Sequence, residues 1–254
     1  MRQLIQFLKN ITFPLICPHC HELSSEKFPL LCKACVEQLE LLSLSCRCKI
    51  CFRKAPCETL KNRLICTSCA SKKKNMSLPF IDAYAAAFEY QGAIKTLVRE
   101  FKYQDRPYLA KSLSAFLYLQ YEQLLDGPLW QKPDIITFIP QNFLKKLTRG
   151  YNASELLALE LGKLTGIPTQ SLLVKKEHTT SQTKLSLTER KNIRDHVFEL
   201  KKLESCTDKV IVLIDDVSTT GSTLQACAKA LQCGHPKKIF ALTLCYTPPH
   251  DEES

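Results

Sequence analysis

Apolar residues recur along this chain in two rhythms that alternate. From Ile81 to Tyr90 they run together as a strand, and from Ala93 to Lys102 they fall at Ile94, Leu97, Val98 and Phe101, the spacing of one helix face. A second, longer helix is predicted from Pro107 to about Leu125, because proline at a first helical position gives up an N–H that has no partner there anyway. Asp134 to Ile139 reads as a short buried strand stopped by Pro140. Asn152 to Leu164 reads as a helix closing near Gly166, and Leu172 to Val174 as a further strand. Strand Val210–Ile214, helix Ser222–Gln232 with Gly234 just beyond it, and strand Lys238–Leu244 complete the alternation. Such a series predicts an α/β fold, a parallel sheet covered by helices on both faces.

Two segments break the rhythm. Lys175 to Arg194 is polar and basic without a sustained period, and it reads as a long functional loop in which Lys184, Arg190 and Arg194 are placed to close over a polyanion. Residues 1 to about 75 carry ten of the 14 cysteines and end in the basic run Ser71-Lys72-Lys73-Lys74-Asn75. The division expected is therefore a cysteine-rich module over 1–75 and an α/β domain over 76–250.

The cysteines fall in pairs. Cys17-Pro-His-Cys20 and Cys32-Lys-Ala-Cys35 are CxxC knuckles eleven residues apart, a spacing suited to a tetrahedral structural zinc. Cys48-Lys-Ile-Cys51 and Cys66-Thr-Ser-Cys69 form a second set, with Cys46 and Cys57 near enough to compete, so one or two zinc ions are expected and the second ligand set stays open. His19 and His21 are potential substitutes beside a full four-cysteine set. Pairing of this kind fits metal in a reducing cytoplasm better than a disulfide scaffold. No apolar run is long enough to span a membrane.

A net charge of +10 suits a polyanionic partner, nucleic acid or a polyphosphate. Basic residues surround the knuckles, among them Lys33, Arg47, Lys49, Arg53 and Lys54, and Phe52 lies between them where it would be available for base stacking.

The chemistry concentrates in VIVLIDDVSTTGST, Val210 to Thr223. An apolar strand runs into Asp215 and Asp216, and ligands of open α/β sheets sit beyond such strand ends. Paired carboxylates suit vicinal hydroxyls or a substrate-borne Mg²⁺. Ser218, Thr219, Thr220, Gly221, Ser222 and Thr223 then lead into a helix, where hydroxyls and free N–H groups suit a phosphate. A sugar phosphate satisfies both halves. Arg149 and Gly150 precede another helix, a place for pyrophosphate with Lys102 as a second cation.

LIDDVSTTGST resembles the 5-phosphoribosyl-1-pyrophosphate (PRPP) signature of type I phosphoribosyltransferases, which implies ribose contacts from Asp215 and Asp216 and a 5′-phosphate cradle at Thr219 to Thr223. With Phe101-Lys102-Tyr103, Pro140, Arg149-Gly150-Tyr151-Asn152, Thr180, Gln182, Leu185, Arg190, Asn192 and the cysteine-rich start, nearly the whole chain resembles the ComF family. Two departures from the family pattern are Ala153 where glutamine is usual, and Ile139-Pro140-Gln141 where Pro-Val-Pro is common. The resemblance implies a zinc-ribbon-like module ahead of a phosphoribosyltransferase domain, natural competence, incoming single-stranded DNA, and a competence helicase or other DNA-uptake protein as partner. A phosphoribosyltransferase acting on a nitrogenous base and a PRPP sensor without turnover need the same signature, and the sequence assigns no base.

Overall fold

The computed structural model describes residues 16–23, 31–60, 64–74, 80–141, 150–176 and 197–248. In the cysteine-rich part three short helices form, α1 (Lys33–Glu37), α2 (Cys57–Leu60) and α3 (Thr67–Lys74). Beyond them the predicted alternation is present: β1 (Ala83–Glu89), α4 (Gly92–Tyr103), α5 (Leu109–Leu125), β2 (Ile135–Phe138), α6 (Ala153–Thr165), β3 (Leu173–Lys175), β4 (Phe198–Leu200), β5 (Val210–Ser218), α7 (Ser222–Gln232) and β6 (Lys238–Tyr246).

Strands β1, β6, β5 and β2 lie side by side in that order and all run parallel, in register at Ala83 with Phe240, Val212 with Phe240 and Ile136 with Val212. Val210 to Ile214 are buried without alternation, the mark of a strand covered on both faces. β3 and β4 form a separate antiparallel pair against which α7 packs. Helix α4 turns Ala93, Ile94, Leu97, Val98 and Phe101 inward, the face its apolar spacing predicted. Asn152 caps α6, accepting from the Ser154 N–H, and Gly166 closes that helix at φ 71°, where a side chain would be strained.

Two expectations are corrected. Pro107 does not open α5; its carbonyl accepts from the Ala110 N–H in a turn ahead of a helix that starts at Leu109. β5 does not stop at the acids either, because pairing with β6 carries it through Asp215 to Ser218, opposite Tyr246.

The cysteine-rich part packs directly on the sheet. β1 is an edge strand, and its polar backbone would be left unpaired. The Tyr84 N–H donates to the Lys49 carbonyl at 2.7 Å and the Leu42 N–H to the Ala87 carbonyl at 2.8 Å. Gln120 on α5 donates to the Leu42 carbonyl, and His19 bonds Thr96 on α4. Phe52 is buried, its ring 5.6 Å from that of Tyr84 and 6.0 Å from that of Tyr246, with the Arg47 guanidinium 4.7 Å over it. Burying such a ring contributes about 1.5–3 kcal/mol. Phe52 is thus a wedge in the core, and the expectation that it stacks on bases is overturned.

Candidate functional site

In a parallel sheet every strand delivers its carboxyl end to one edge, and here that edge carries Asp215, Asp216 and the turn after β5. Successive strand residues point to opposite faces, so the two adjacent acids meet different helices. Asp215 Oδ1 accepts from Ser154 Oγ of α6 at 2.8 Å, while Asp216 Oδ1 takes an ion pair from Lys102 Nζ of α4, also at 2.8 Å. Each carboxylate also folds back on the next backbone N–H: Asp216 N–H donates to Asp215, and Val217 N–H to Asp216.

Burial pushes the Asp215 carboxyl up to about 7, and the neighbouring Asp216 charge adds to that. The Ser154 hydroxyl, the Asp216 N–H and the Lys102 ammonium work in the opposite direction. Beneath the acids, the Tyr84 phenol is bonded to Thr243 at 3.0 Å and raised by burial, and the Cys227 and Cys245 thiols are likewise raised by burial, which makes them unreactive.

The turn is open where the strand is closed. Ser218 is buried, and its carbonyl accepts from the Thr247 N–H, but Thr219, Thr220, Ser222 and Thr223 are exposed. Gly221 sits at the cap of α7 with φ 71° and has no side chain to cap with, while Thr220 Oγ1 accepts from the Ser222 N–H at 3.4 Å. Thr220 Oγ1 donates to Ser222 Oγ at 3.0 Å, which gathers two hydroxyls over the helix start. Such an end, with free N–H groups and the positive pole of the helix, attracts an anion. Gly150 is exposed at φ 77°, two residues ahead of the α6 cap. Arg149, Lys184, Arg190 and Arg194 lie outside the described residues. Ser154 was missed by the sequence reading, since nothing in the pattern separates its hydroxyl from those of ordinary helix starts.

The cysteines form two groups, Cys17, Cys20, Cys32 and Cys35, and Cys48, Cys51, Cys66 and Cys69, with the sulfurs of each group within 4.8 Å of one another. Cys20 and Cys32 sulfurs are 3.5 Å apart, and Cys51 and Cys66 sulfurs 3.7 Å. A tetrahedral ion with about 2.3 Å metal–sulfur bonds needs sulfurs about 3.8 Å apart, so both groups fit. Cys46 and Cys57, which competed for the second set, lie outside both groups and pair with each other, and the two groups do not interleave. In the second group, S–H donation from Cys51 and Cys69 holds Cys48 below the usual thiol range, and that same hydrogen bond to Cys48 pushes Cys51 up to about 12. Four bare thiolates would repel; a dication would let all four ionise. Among the described residues no helix is long and apolar enough to cross a membrane.

Residues 147–254 match the family described as the phosphoribosyl transferase domain. Competence protein F of Haemophilus influenzae is 29% identical over 156 residues, 61% of this chain and 68% of that protein. DNA utilization protein YhgH of Escherichia coli K12 is 26% identical over 210 residues, 79% of this chain and 90% of that protein. Among solved structures, the glutamine PRPP amidotransferase from B. subtilis aligns at 17% identity and TM-score 0.36 over 55% of this chain and 26% of that chain. The purine phosphoribosyltransferase from Pyrococcus horikoshii aligns at 18% identity and TM-score 0.30 over 56% of this chain and 91% of that chain.

A parallel sheet whose acid-bearing strand and hydroxyl turn fall inside the matched domain defines a protein of the phosphoribosyltransferase fold, preceded by two cysteine clusters fit for metal. The relatives it resembles are named for competence and for DNA utilization, in line with its resemblance to the ComF family.

Proposed function

We propose that this protein binds PRPP with Mg²⁺ at the carboxyl edge of its sheet and acts in natural competence, handling incoming single-stranded DNA in the cytoplasm. The observation that carries the ligand is the pairing of two acids, each held by one side chain from a neighbouring helix, with an exposed hydroxyl turn at the same strand end. In this reading Asp215 and Asp216 accept the ribose hydroxyls, and Ser218 to Thr223 take the 5′-phosphate. Arg149, Gly150 and Lys102 face the pyrophosphate, and Lys184, Arg190 and Arg194 close over it. Magnesium enters as the ligand's counter-ion; it neutralises the pyrophosphate and makes it a better leaving group.

Zinc in both clusters is structural, since four thiolates leave no open position. The cysteine-rich module (1–75) and the ligand domain (76–250) are then two parts with two tasks. The competence role is supported by the names of the relatives and by the +10 charge, which suits DNA phosphates. A competence helicase or another DNA-uptake protein is the partner class that accompanies it.

Competition tests the ligand assignment. Ribose 5-phosphate should displace PRPP, and Gly221→Val, which forces a branched side chain into left-handed backbone, should weaken both ligands together. Equal binding of both ligands by that variant and by wild type would remove the phosphate from the turn. Pyrophosphate release over a panel of bases then separates an enzyme from a sensor.

A further inference from the structure

The hydroxyl that holds Asp215 does no other work among the described residues. Ser154 is buried in the first turn of α6, where a serine ordinarily bonds its own backbone or caps the helix. Capping here falls to Asn152, which accepts the Ser154 N–H at 3.1 Å and ties the helix start to the end of β2 by donating to the Ile139 carbonyl at 2.9 Å. The Ser154 hydroxyl is left to reach 61 residues along the chain to Asp215. It lands on Oδ1, the oxygen that also accepts the Asp216 N–H at 2.9 Å, and so among the described residues Oδ2 is the oxygen left for a ligand.

We infer that Ser154 is a positioning residue for the ligand site: its hydroxyl fixes the Asp215 carboxylate and keeps it charged, so that Oδ2 faces the incoming ligand as an acceptor. This rests on the PRPP reading and adds a residue from a different helix to it. The groups that act on or near Asp215 are Asp216 on the same strand, Lys102 from α4, Tyr84 from β1 and Cys227 from α7. Burial and Asp216 favour the protonated acid, and a protonated Asp215 offers a ligand hydroxyl one acceptor fewer. Ser154 is the neutral donor on the other side of that balance. Removing a donor to the charged form moves ionisation upward in pH.

The test is calorimetric titration of PRPP with Mg²⁺ at pH 6, 7 and 8 into wild type, Ser154→Ala, Ser154→Thr and Asp216→Asn, with the melting temperature of each. Losing one hydrogen bond to a charged group should weaken Ser154→Ala about tenfold at pH 7, with the gap narrowing by pH 8, and Ser154→Thr should recover most of it. Carboxyl ¹³C NMR without ligand should show Asp215 titrating higher in Ser154→Ala than in wild type. Wild-type affinity and an unmoved Asp215 titration in Ser154→Ala, while Asp216→Asn loses binding, would overturn the role of Ser154 and leave the PRPP site standing. A defect equal at every pH, with a lowered melting temperature and no threonine rescue, would also overturn it, as a packing effect. A folded wild type that binds no PRPP would overturn both.

Discussion

The cysteine clusters and the acidic edge both crowd ionisable groups together, and they resolve the crowding in opposite ways. Each cluster closes on itself: four sulfurs surround one point and leave no coordination position for anything else. The acids instead borrow one side chain each, Ser154 and Lys102, and stand beside a turn whose hydroxyls are on exposed residues. Closed donor sets stabilise a fold; half-satisfied sets keep capacity for a ligand. The clusters also differ from each other. Cys17, Cys32 and Cys35 belong to the main core, whereas Cys48, Cys66 and Cys69 have a small core of their own with Ile50, Ala55 and Ile65 around it.

Metal removal should break this comparison most severely. Structural zinc binding carries on the order of 10–16 kcal/mol, so a strong chelator should unfold the cysteine-rich part, and elemental analysis before chelation should give two ions per chain. Hydrogen exchange should divide the clusters. Cys48→Ser should open the segment from Cys48 to Cys69 and with it the Tyr84 amide of β1, which bonds Lys49, while Cys17→Ser should lower protection in α4, where His19 bonds Thr96.

Next in size is the joint between the two regions. Phe52→Ala should cost about 3–5 kcal/mol, read as a shifted denaturant midpoint, because it empties the space between Tyr84 and Tyr246. Metal content should stay unchanged.

The smallest effect belongs to the acids. The folded Asp215 titrates near 7, above its ordinary 3.8, so the folded state holds the proton more tightly than the unfolded one. Its contribution therefore costs nothing below about pH 4 and increasingly destabilises the fold as pH rises through about 7. Asp215→Asn should flatten that part of the stability curve. PRPP affinity should move the other way, rising from pH 6 to 8 as the carboxylate forms.

The alternation of apolar rhythms made the sheet and its helices legible to within a few residues, because buried strands and one-faced helices leave local signatures. β5 was the exception: its hydrogen bonding continues past the acids because β6 is there to pair with, and pairing is a tertiary fact. The DD-plus-hydroxyl run was visible for the same local reason. Ser154 was not, since its partner lies on another element, and neither was the burial of Phe52, which depends on two tyrosines far along the chain. Six candidate cysteines for four positions could be sorted only once Cys46 and Cys57 were seen to pair with each other.

The central claim is that the acidic edge holds a ribose phosphate. Calorimetric titration of PRPP with Mg²⁺ into the zinc-loaded protein, beside Asp216→Asn, tests it most directly. Saturable binding by wild type and its loss in a variant that still folds is the predicted result. An equal heat signal from both proteins, or none from a folded wild type, would contradict it.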